Sequence, residues 1–341
     1  MIERALLQRM RLMELVAQDV HGEQTLMRSG AVPAALTLGH RAWMPCLHHL
    51  RPPTSHWLGM ASFEVGQDAQ GQCWVLGSST TLQDVLAPVL QPHPHELSRN
   101  WMTHWRNTWP VPPQEHATCV ALTASLQPDR STEWGTLCWV TPDELQVRSG
   151  RLWMLRPSGW QPVHALIAHD DQLANDPLEG VDADGGGVAG WLSCIRQHTL
   201  SVINMPGMGF LNEAAWSAFW PSLCQQLLGE PLLLPSPASW WLGEELARQQ
   251  AQALTLDARL LPQDAGPAQQ PIASTIALAP GVPAGQQAAW DVVVQRPEAW
   301  TLQQHLQIES AWRVDACATP TGPSGMVQIQ ATCGPVLETC A

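Results

Sequence analysis

The spacing of apolar residues predicts a mixed fold, α+β with an α/β centre, and three stretches carry that reading. Ile2, Leu6, Met10, Met13 and Val16 recur at helical intervals. Trp57, Gly59, Ala61, Phe63 and Val65 alternate with period two. INMPGMGFLNEAAWSAFWPSLCQQLLGE, from Ile203 to Glu230, runs a strand end into a Gly-x-Gly turn and then into an apolar-periodic helix. A chain of 341 residues, 45% hydrophobic and only 14% charged, has the length for two or three packed units and lacks the composition of a disordered one.

In chain order, residues 2 to 19 form one amphipathic helix, with Arg4, Gln8, Arg11 and Glu14 between the apolar positions and a His21-Gly22 turn closing it. Pro33 opens a second short helix. The alternation from His56, the turn QDAQGQ and the continuation through Cys73, Val75 and Gly77 make a β-hairpin. Residues 86 to 116, rich in Pro and His, read as a helix within irregular connection and mark a boundary between units.

CVALTA (119 to 124) and TLCWV (136 to 140) are strands, and Thr141-Pro-Asp-Glu144 is a capping box with Pro at the first helical position. LQVRSGRLWML folds back about Ser149-Gly150 as a tight hairpin, and VHALIA (163 to 168) is a further strand. WLSCIRQH is helical. After the strand LSVIN and the turn at Gly207 and Gly209, Asn212 is placed to cap a helix whose apolar face is Trp216, Phe219, Leu223 and Leu227. Pro221 costs about 3 kcal/mol in a helix interior, so a kink or restart is expected there, and Gly229 ends the helix. ELARQQAQAL is helical, residues 262 to 288 are rich in Pro, Ala and Gln, and 291 to 341 read as short strands.

All seventeen basic residues are arginine, and against thirty acids they leave a net charge of −13. That balance repels nucleic acid and anionic membranes, and no basic run overrides it. Eighteen tryptophans beside three phenylalanines and no tyrosine are read as core and half-buried residues, not as a stacking platform. The nine cysteines contain no C-x-x-C pair, and MIERALLQRMRLMELVAQDV carries charges throughout, unlike a signal peptide, so a reduced cytoplasmic setting is expected. No apolar run approaches the roughly 20 residues that span a bilayer.

Individual motifs are weak. The Gly207-Met-Gly209 turn lacks the Lys-Ser/Thr pair of a Walker loop, and Asn212 stands where a dinucleotide fingerprint has its third glycine. Asp182-Ala-Asp184-Gly185 starts like a calcium loop but reaches Ser193 at its twelfth position. The histidine pairs His48-His49 and His93-Pro-His95 lack metal-ligand spacing, and Gly322-Pro-Ser-Gly325 misses the nucleophile elbow. Asp170-Asp171 with Asp176 and Glu179, just past a strand end, could ligate Mg²⁺ or position an amine.

Several longer blocks together resemble the circularly permuted ATP-grasp type 2 family, relatives of the glutathionylspermidine-synthase-like ligases. LLQRMRLMELVAQDVHGEQTLMRSGAVPAAL is similar to that family's "IQR…LN.FL.DVYGEQ…L..G.IP..L" segment. WVLGSSTTLQD sits where the family carries "YVLEDNTRTPSG", and DDQLANDPLEG resembles its "DD…DPLE" loop. The block 187 to 244, from GVAGWLSCIR through VINMPGMGFLNE to LCQQLLGEPLLLPSPASWWLGE, is the most specific part. The resemblance extends from about residue 7 to 244.

The resemblance implies an ATP-grasp-like, circularly permuted fold with a Rossmann-like central unit. Residues 1–112 and 246–341 would form parts of the permuted ATP-grasp unit, the latter degenerate and shortened, around a central unit of 113–245. It also implies ATP- and Mg²⁺-dependent joining of a carboxylate to an amine. Yet the family's Glu and Asn metal ligands align with Gly77 and Ser79, and its Arg with Thr81. Its Arg-Arg pair aligns with Ala168 and His169, its Lys-bearing strand and glycine loop with Arg259 to Gln270, and its C-terminal Arg with Cys317. Losing four or five charge-assisted phosphate contacts of about 1.5 to 3 kcal/mol each should abolish ATP affinity.

The expectation is therefore a catalytically degenerate binding or regulatory subunit with no cofactor, in which Asn204, Gly207 and Gly209 are a remnant loop. Its partner would be an active paralogue, an alpha-E helical protein or a transglutaminase-like protein, as the family resemblance suggests. The alternative is a working ligase using ATP and Mg²⁺, with Asp171, Asp176 and Glu179 about the metal and Arg148, Arg151 or Arg259 on phosphate.

Overall fold

The computed structural model describes residues 2–54, 56–81, 119–122, 137–168, 176–179, 187–252, 257–263, 276–278, 290–317 and 327–331. The expected boundary segment 86–116, the Asp170-Asp171 pair, His169 and most of 262–288 lie outside them.

The first helix, α1 (Ile2–His21), buries Leu6, Met10, Met13, Val16 and Val20 as the spacing predicts, and Gly22 closes it through a backbone bond to Asp19. Gln8, expected among the polar positions, is buried at 7% exposure, and Arg9 beside it at 2%. They are inside because they serve the backbone of a distant loop. Gln8 Nε2 donates to the Glu230 side chain and the Pro231 carbonyl, each at 3.0 Å, and its Oε1 accepts the Leu233 N–H at 2.9 Å. Arg9 Nη2 donates to the Leu234 carbonyl at 2.8 Å and to Ser236 Oγ at 3.1 Å. The loop is only partly buried, with Leu234 inside and Leu233 exposed, and where its backbone faces α1 these side chains stand in for solvent. After the short helix α2 (Thr25–Arg28), the helix expected from Pro33 is a single 3₁₀ turn, Ala34–Leu36.

The hairpin of β1 (Met60–Asp68) and β2 (Cys73–Ser79) forms as predicted, and the Trp57 and Leu58 N–H groups that lead into it donate to the Glu14 carboxylate. Its sheet is completed from the other end of the chain. β14 (Ile308–Cys317) pairs antiparallel with β1, and β15 (Val327–Ala331) with β14, in the order β15-β14-β1-β2. The residues taken for 1–112 and 246–341 thus share one sheet.

The centre is a parallel sheet, ordered β4-β3-β8-β9, of β3 (Cys119–Leu122), β4 (Leu137–Val140), β8 (Ala165–Ala168) and β9 (Ser201–Ile203). The capping box is present, but Thr141 and Glu144 bracket one 3₁₀ turn in place of a helix. Beyond it β5 (Leu145–Arg148), β6 (Arg151–Arg156) and β7 (Gly159–Pro162) form a meander. Ser149 and Gly150 both take positive φ, at 49° and 72°, as a two-residue hairpin turn demands.

Helix α3 (Trp191–Arg196) precedes β9, and α4 (Trp216–Leu228) follows the turn after it. Pro221 does not divide α4, which runs as one helix. Trp216 and Trp220, stacked at 5.1 Å, are buried with Leu223 and Cys224, and this burial outweighs the missing backbone bond. A last antiparallel sheet, β10-β13-β11-β12, joins β10 (Ser239–Trp241), β11 (Ala258–Pro262), β12 (Ile276–Leu278) and β13 (Trp300–Gln304), with α5 (Glu245–Gln252) after β10. The division expected at 245 cuts this sheet, because β10 belongs to it.

The antiparallel sheet of β1 and β2 and the parallel sheet of β9 meet at Asn204, just beyond β9. Its Oδ1 accepts the N–H groups of Gly59 at 2.8 Å and Met60 at 2.9 Å, and its Nδ2 donates to the carbonyls of Met60 at 2.9 Å and Thr80 at 2.7 Å. All four hydrogen-bonding positions of the amide are used. Gly59 is required at this approach, since a Cβ there would lie 2.9 Å from the Ile203 side chain.

Replacing Asn204 by Ala leaves two N–H donors and two carbonyls unpaired at the junction. The expected loss is about 3 kcal/mol or more, read as a lower urea midpoint, and Asn204→Asp should also destabilise because it opposes two carbonyls with oxygen. A second expectation concerns pH. His21 is fully buried, stacked on Trp57 at 4.2 Å, with Nδ1 3.1 Å from the Ala17 carbonyl and Nε2 without a hydrogen-bond partner. Burial lowers its pKa from 6.5 to about 4. The unfolded imidazole takes a proton that the folded one refuses, so its contribution is intact above pH 6.5 and is lost as the pH falls toward 4. Urea titrations over that window should show about 3 kcal/mol of decline, flattened in His21→Phe.

Candidate functional site

A cavity of about 380 Å³ opens along β2, between the sheet and the chain from Asn212 to Trp220. One wall is the polar face of the β15-β14-β1-β2 sheet. Residues facing each other across strands point to the same side, so the register places Arg313, Glu64 and Gly77 in one row and Asp315, Ser62 and Ser79 in the next. The other face carries Ala61, Phe63, Val65, Val314 and Ala316, all buried in the core. The alternation seen in β1 therefore separates core from cavity.

The register between β1 and β2 shifts between Glu64 and Val65, a bulge at Leu76 that re-aims Gly77. Gly77 lies under the Glu64 side chain: a Cβ at position 77 would be 3.5 Å from Glu64 Oε2. Ser79 and Gly77 line the cavity together with Glu64, Arg313, Glu213 and Trp220. Thr81 stands just beyond, its hydroxyl accepting a 3.2 Å bond from Asn212 Nδ2, and its N–H donates to Ser79 Oγ at 3.2 Å.

The opposite wall comes from the turn after β9. Gly207 takes φ 83° and approaches the Ala42 carbonyl closely, 3.3 Å from a hypothetical Cβ, while Gly209 needs no positive φ. The chain then forms a 3₁₀ turn, Met208–Asn212. Asn212 does not cap α4. Its Oδ1 accepts the Thr80 N–H at 2.7 Å and lies 2.9 Å from the Thr80 hydroxyl, so it ties the turn to the end of β2. Next to it Glu213 Oε1 pairs with His40 Nε2 at 2.9 Å; the Ala42 N–H donates to His40 Nδ1 at 3.0 Å, which leaves the proton on Nε2.

Both arginines of the cavity are unusual. Arg9 reaches it from α1, with its guanidinium 5.8 Å from the centre of a Trp220 ring. Burial lowers its pKa to about 10, with nearby Cys224 acting weakly in the other direction. Its Nε is buried with no hydrogen-bond partner, and among the described residues it forms no ion pair. Arg313 Nε lies 3.4 Å from Asp315 Oδ1, while its Nη2 is buried without a partner.

The residues expected from sequence fare differently. Asp171, Ala168's neighbour His169 and the DD pair fall outside the described residues. Asp176 is fully buried and accepts the N–H groups of Leu178, Gly190 and Leu192 at 3.0, 2.7 and 3.1 Å, which makes it the anchor of the loop entering α3. Glu179 pairs with Arg196, whose guanidinium holds its carboxyl below the usual range. Arg148 lies over Trp160 at 3.8 Å on the meander, Arg151 is across the same turn, and Arg259 bonds His305 at 2.7 Å on β11. None of Asp176, Glu179, Arg148, Arg151 or Arg259 lines the cavity. Cys317 sits opposite Met60 at the end of β14, and the arginine of that strand that does line the cavity is Arg313. Sequence reasoning missed Glu64, Arg313, Arg9 and Glu213. Glu64 and Arg313 could have been found from the alternation of their strands, whereas Arg9 and Glu213 enter by tertiary packing alone.

Among the described residues no cluster of three or more His, Cys, Asp or Glu side chains could hold a metal ion. No helix among them is long and apolar enough to cross a membrane. The cavity offers guanidinium groups, carboxylates, hydroxyls and an indole face, a set suited to holding a small polar molecule.

The family model for Circularly permuted ATP-grasp type 2 matches residues 1–84 and 135–323. An uncharacterized protein of Mycobacterium tuberculosis is 25% identical over 264 residues, covering 70% of this chain and 30% of that protein. An uncharacterized protein of Synechocystis sp. is 22% identical over 271 residues, covering 72% of this chain and 56% of that one. The chain thus spans between about a third and about half of the length of these relatives. Among solved structures, a glutathione synthetase-like effector from Globodera pallida in its apo form aligns with TM-score 0.46 and 7% identity, over 80% of this chain and 73% of that one. The match over both flanks of the sheet and through the central unit means that this chain belongs to the circularly permuted ATP-grasp type 2 family.

Proposed function

We propose that the chain is a catalytically degenerate member of its family, a binding or regulatory subunit that does not use ATP. The observation that carries this reading is the end of β2. Where the family resemblance places two metal ligands and an arginine, the strand offers Gly77, Ser79 and Thr81, and the Thr81 hydroxyl is engaged by Asn212. Magnesium prefers six oxygen ligands in near-ideal geometry, and a nucleotide triphosphate brings about four negative charges to be balanced. The chain has no lysine, and among the described residues that line the cavity two arginines stand beside two carboxylates, Glu64 and Glu213. These residues do not fit Mg-ATP. The cavity between the β15-β14-β1-β2 sheet and the turn after β9 suits recognition without phosphoryl transfer.

A working ligase is the second reading, and one observation favours it: the Glu64 carboxylate reaches over Gly77 and could replace a carboxylate lost from β2. The partner we propose is an active paralogue, an alpha-E helical protein or a transglutaminase-like protein, in a cytoplasmic setting.

Isothermal titration of the purified chain with Mg-ATP separates the two readings, followed by an ADP-release assay with a pool of amino acids and peptides as acceptors. The expected result is no heat of binding up to several millimolar nucleotide, about −3 kcal/mol or weaker, and no ADP above a blank. Micromolar Mg-ATP binding, or acceptor-dependent ADP, would establish the ligase instead.

A further inference from the structure

From Leu145 to Ala168 the sequence holds three arginines and no Asp or Glu, in a chain whose net charge is −13. This stretch contains the meander of β5, β6 and β7, and strand alternation decides which of its side chains share a face. Leu152 and Met154 of β6 are buried with Leu145 of β5 in the core that also takes Trp191 and Leu192 of α3. The alternate residues make the outer face: Arg151, Trp153 and Leu155 on β6, with Arg148 opposite Arg151, Pro162 opposite Trp153 and Trp160 opposite Leu155. Arg148 and Arg151 are exposed, and Leu155 is 45% exposed. By the same alternation Arg156 belongs to the other face.

The outer face is held in place by its own bonds. The Gly150 carbonyl at the turn accepts the Thr199 hydroxyl at 2.7 Å, and Trp153 Nε1 donates to the Arg148 carbonyl at 3.3 Å. Arg148 is oriented in advance, since its Nε donates to Gln146 Oε1 at 2.9 Å and its guanidinium lies 3.8 Å from the centre of a Trp160 ring. Stacking covers a flat side of a guanidinium and leaves the N–H groups, which lie in its plane, open to a carboxylate. Among the described residues neither Arg148 nor Arg151 forms an ion pair. A lone exposed cation is ordinary on any surface, but arginine set among tryptophan and an exposed leucine is the composition of an interface, and prior orientation lowers the entropy cost of using it.

We propose that the outer face of this meander docks an acidic segment of a partner protein, with carboxylates on the Arg148 and Arg151 guanidinium groups and an apolar side chain against Trp153 and Leu155. Charge complementarity carries the choice of partner. A chain at −13 repels a polyphosphate or an anionic membrane from a distance, and two guanidinium groups do not reverse that field. An acidic peptide segment carries fewer charges per unit length and brings apolar side chains with them, which match the leucine and tryptophans beside the arginines. None of these residues lines the cavity, so the surface is separate from it and does not depend on whether the cavity takes nucleotide.

Fluorescence anisotropy of the full chain with a labelled peptide of three Glu-Glu-Leu repeats tests the proposal. In low salt the peptide should bind with a Kd of about 100 μM or tighter, and at least about fivefold more weakly at about 0.2 M salt. Arg148→Glu combined with Arg151→Glu should weaken binding by about tenfold or more with an unchanged circular dichroism spectrum. The same change of charge at exposed sites elsewhere, Arg4→Glu combined with Arg28→Glu, should leave it within about twofold. Should the meander variant fail to fold, Arg151→Gln at its turn should weaken binding about threefold in its place. No binding of the peptide, equal loss in the two double variants, equal binding of a peptide with Gln for Glu, or tighter binding of oligothymidylate or of phosphatidylserine vesicles would each overturn the proposal. Titration with Mg-ATP reads the cavity alone, so a failure of the docking surface leaves the non-catalytic reading standing, and the reverse holds as well.

Discussion

The fold turns on one buried amide. Asn204 stands where the central parallel sheet delivers the chain toward the antiparallel sheet, and its four hydrogen bonds fix the start of β1 and the end of β2 against β9. No hydrophobic contact could do this, because three backbone segments that end at one point each present polar groups to a dry interior. An asparagine is the side chain with two donors and two acceptors in a fixed plane, and here every one of them has a partner. Asn212 repeats the device one turn later, bonding the Thr80 N–H and the Thr81 hydroxyl. The walls of the cavity are thus held by amides that cannot themselves move a proton or carry a charge.

Around that junction the sheet sorts its residues by strand alternation. Phe63, Val65 and Val314 go to the core, and Glu64, Arg313 and Ser79 go to the cavity. The segment from Glu230 to Ser236 is fastened by Gln8 and Arg9 on one side, and on the other the Val75 N–H donates to the Pro235 carbonyl at 2.8 Å. A guanidinium committed in part to the backbone and in part to a cavity links the stability of the loop to whatever the cavity holds.

Much of this was legible in the residues. The period of 3.6 in α1, the period of two in β1, the hairpin at Ser149-Gly150 and the stop at Gly229 are local signals, and local physics determines them. What failed was tertiary. Gln8 read as part of the solvent face of α1, since nothing in a helix pattern says that a polar residue will service a loop more than 220 positions away, as Gln8 does for Leu233. Pro221 predicted a break that the burial of Trp216 and Trp220 overrides. Asn212 had the right side chain for a cap and the wrong neighbours, with Thr80 close enough to claim it.

The site was harder to read because its charges come from elements far apart in sequence. Aligning Gly77, Ser79 and Thr81 with a family motif drew attention to one strand alone, whereas the sheet also brings Glu64 and Arg313 to the cavity from the adjoining strands. The acids past β8, by contrast, looked like ligands, and of these the described Asp176 and Glu179 are loop anchors. The central claim is that this cavity has kept its shape and lost its grip on nucleotide. Hydrogen–deuterium exchange of the strands Met60–Asp68, Cys73–Ser79 and Ile308–Cys317 with and without Mg-ATP tests it most directly. The account predicts superimposable exchange curves for all three strands, and slower exchange in β2 on adding nucleotide would contradict it.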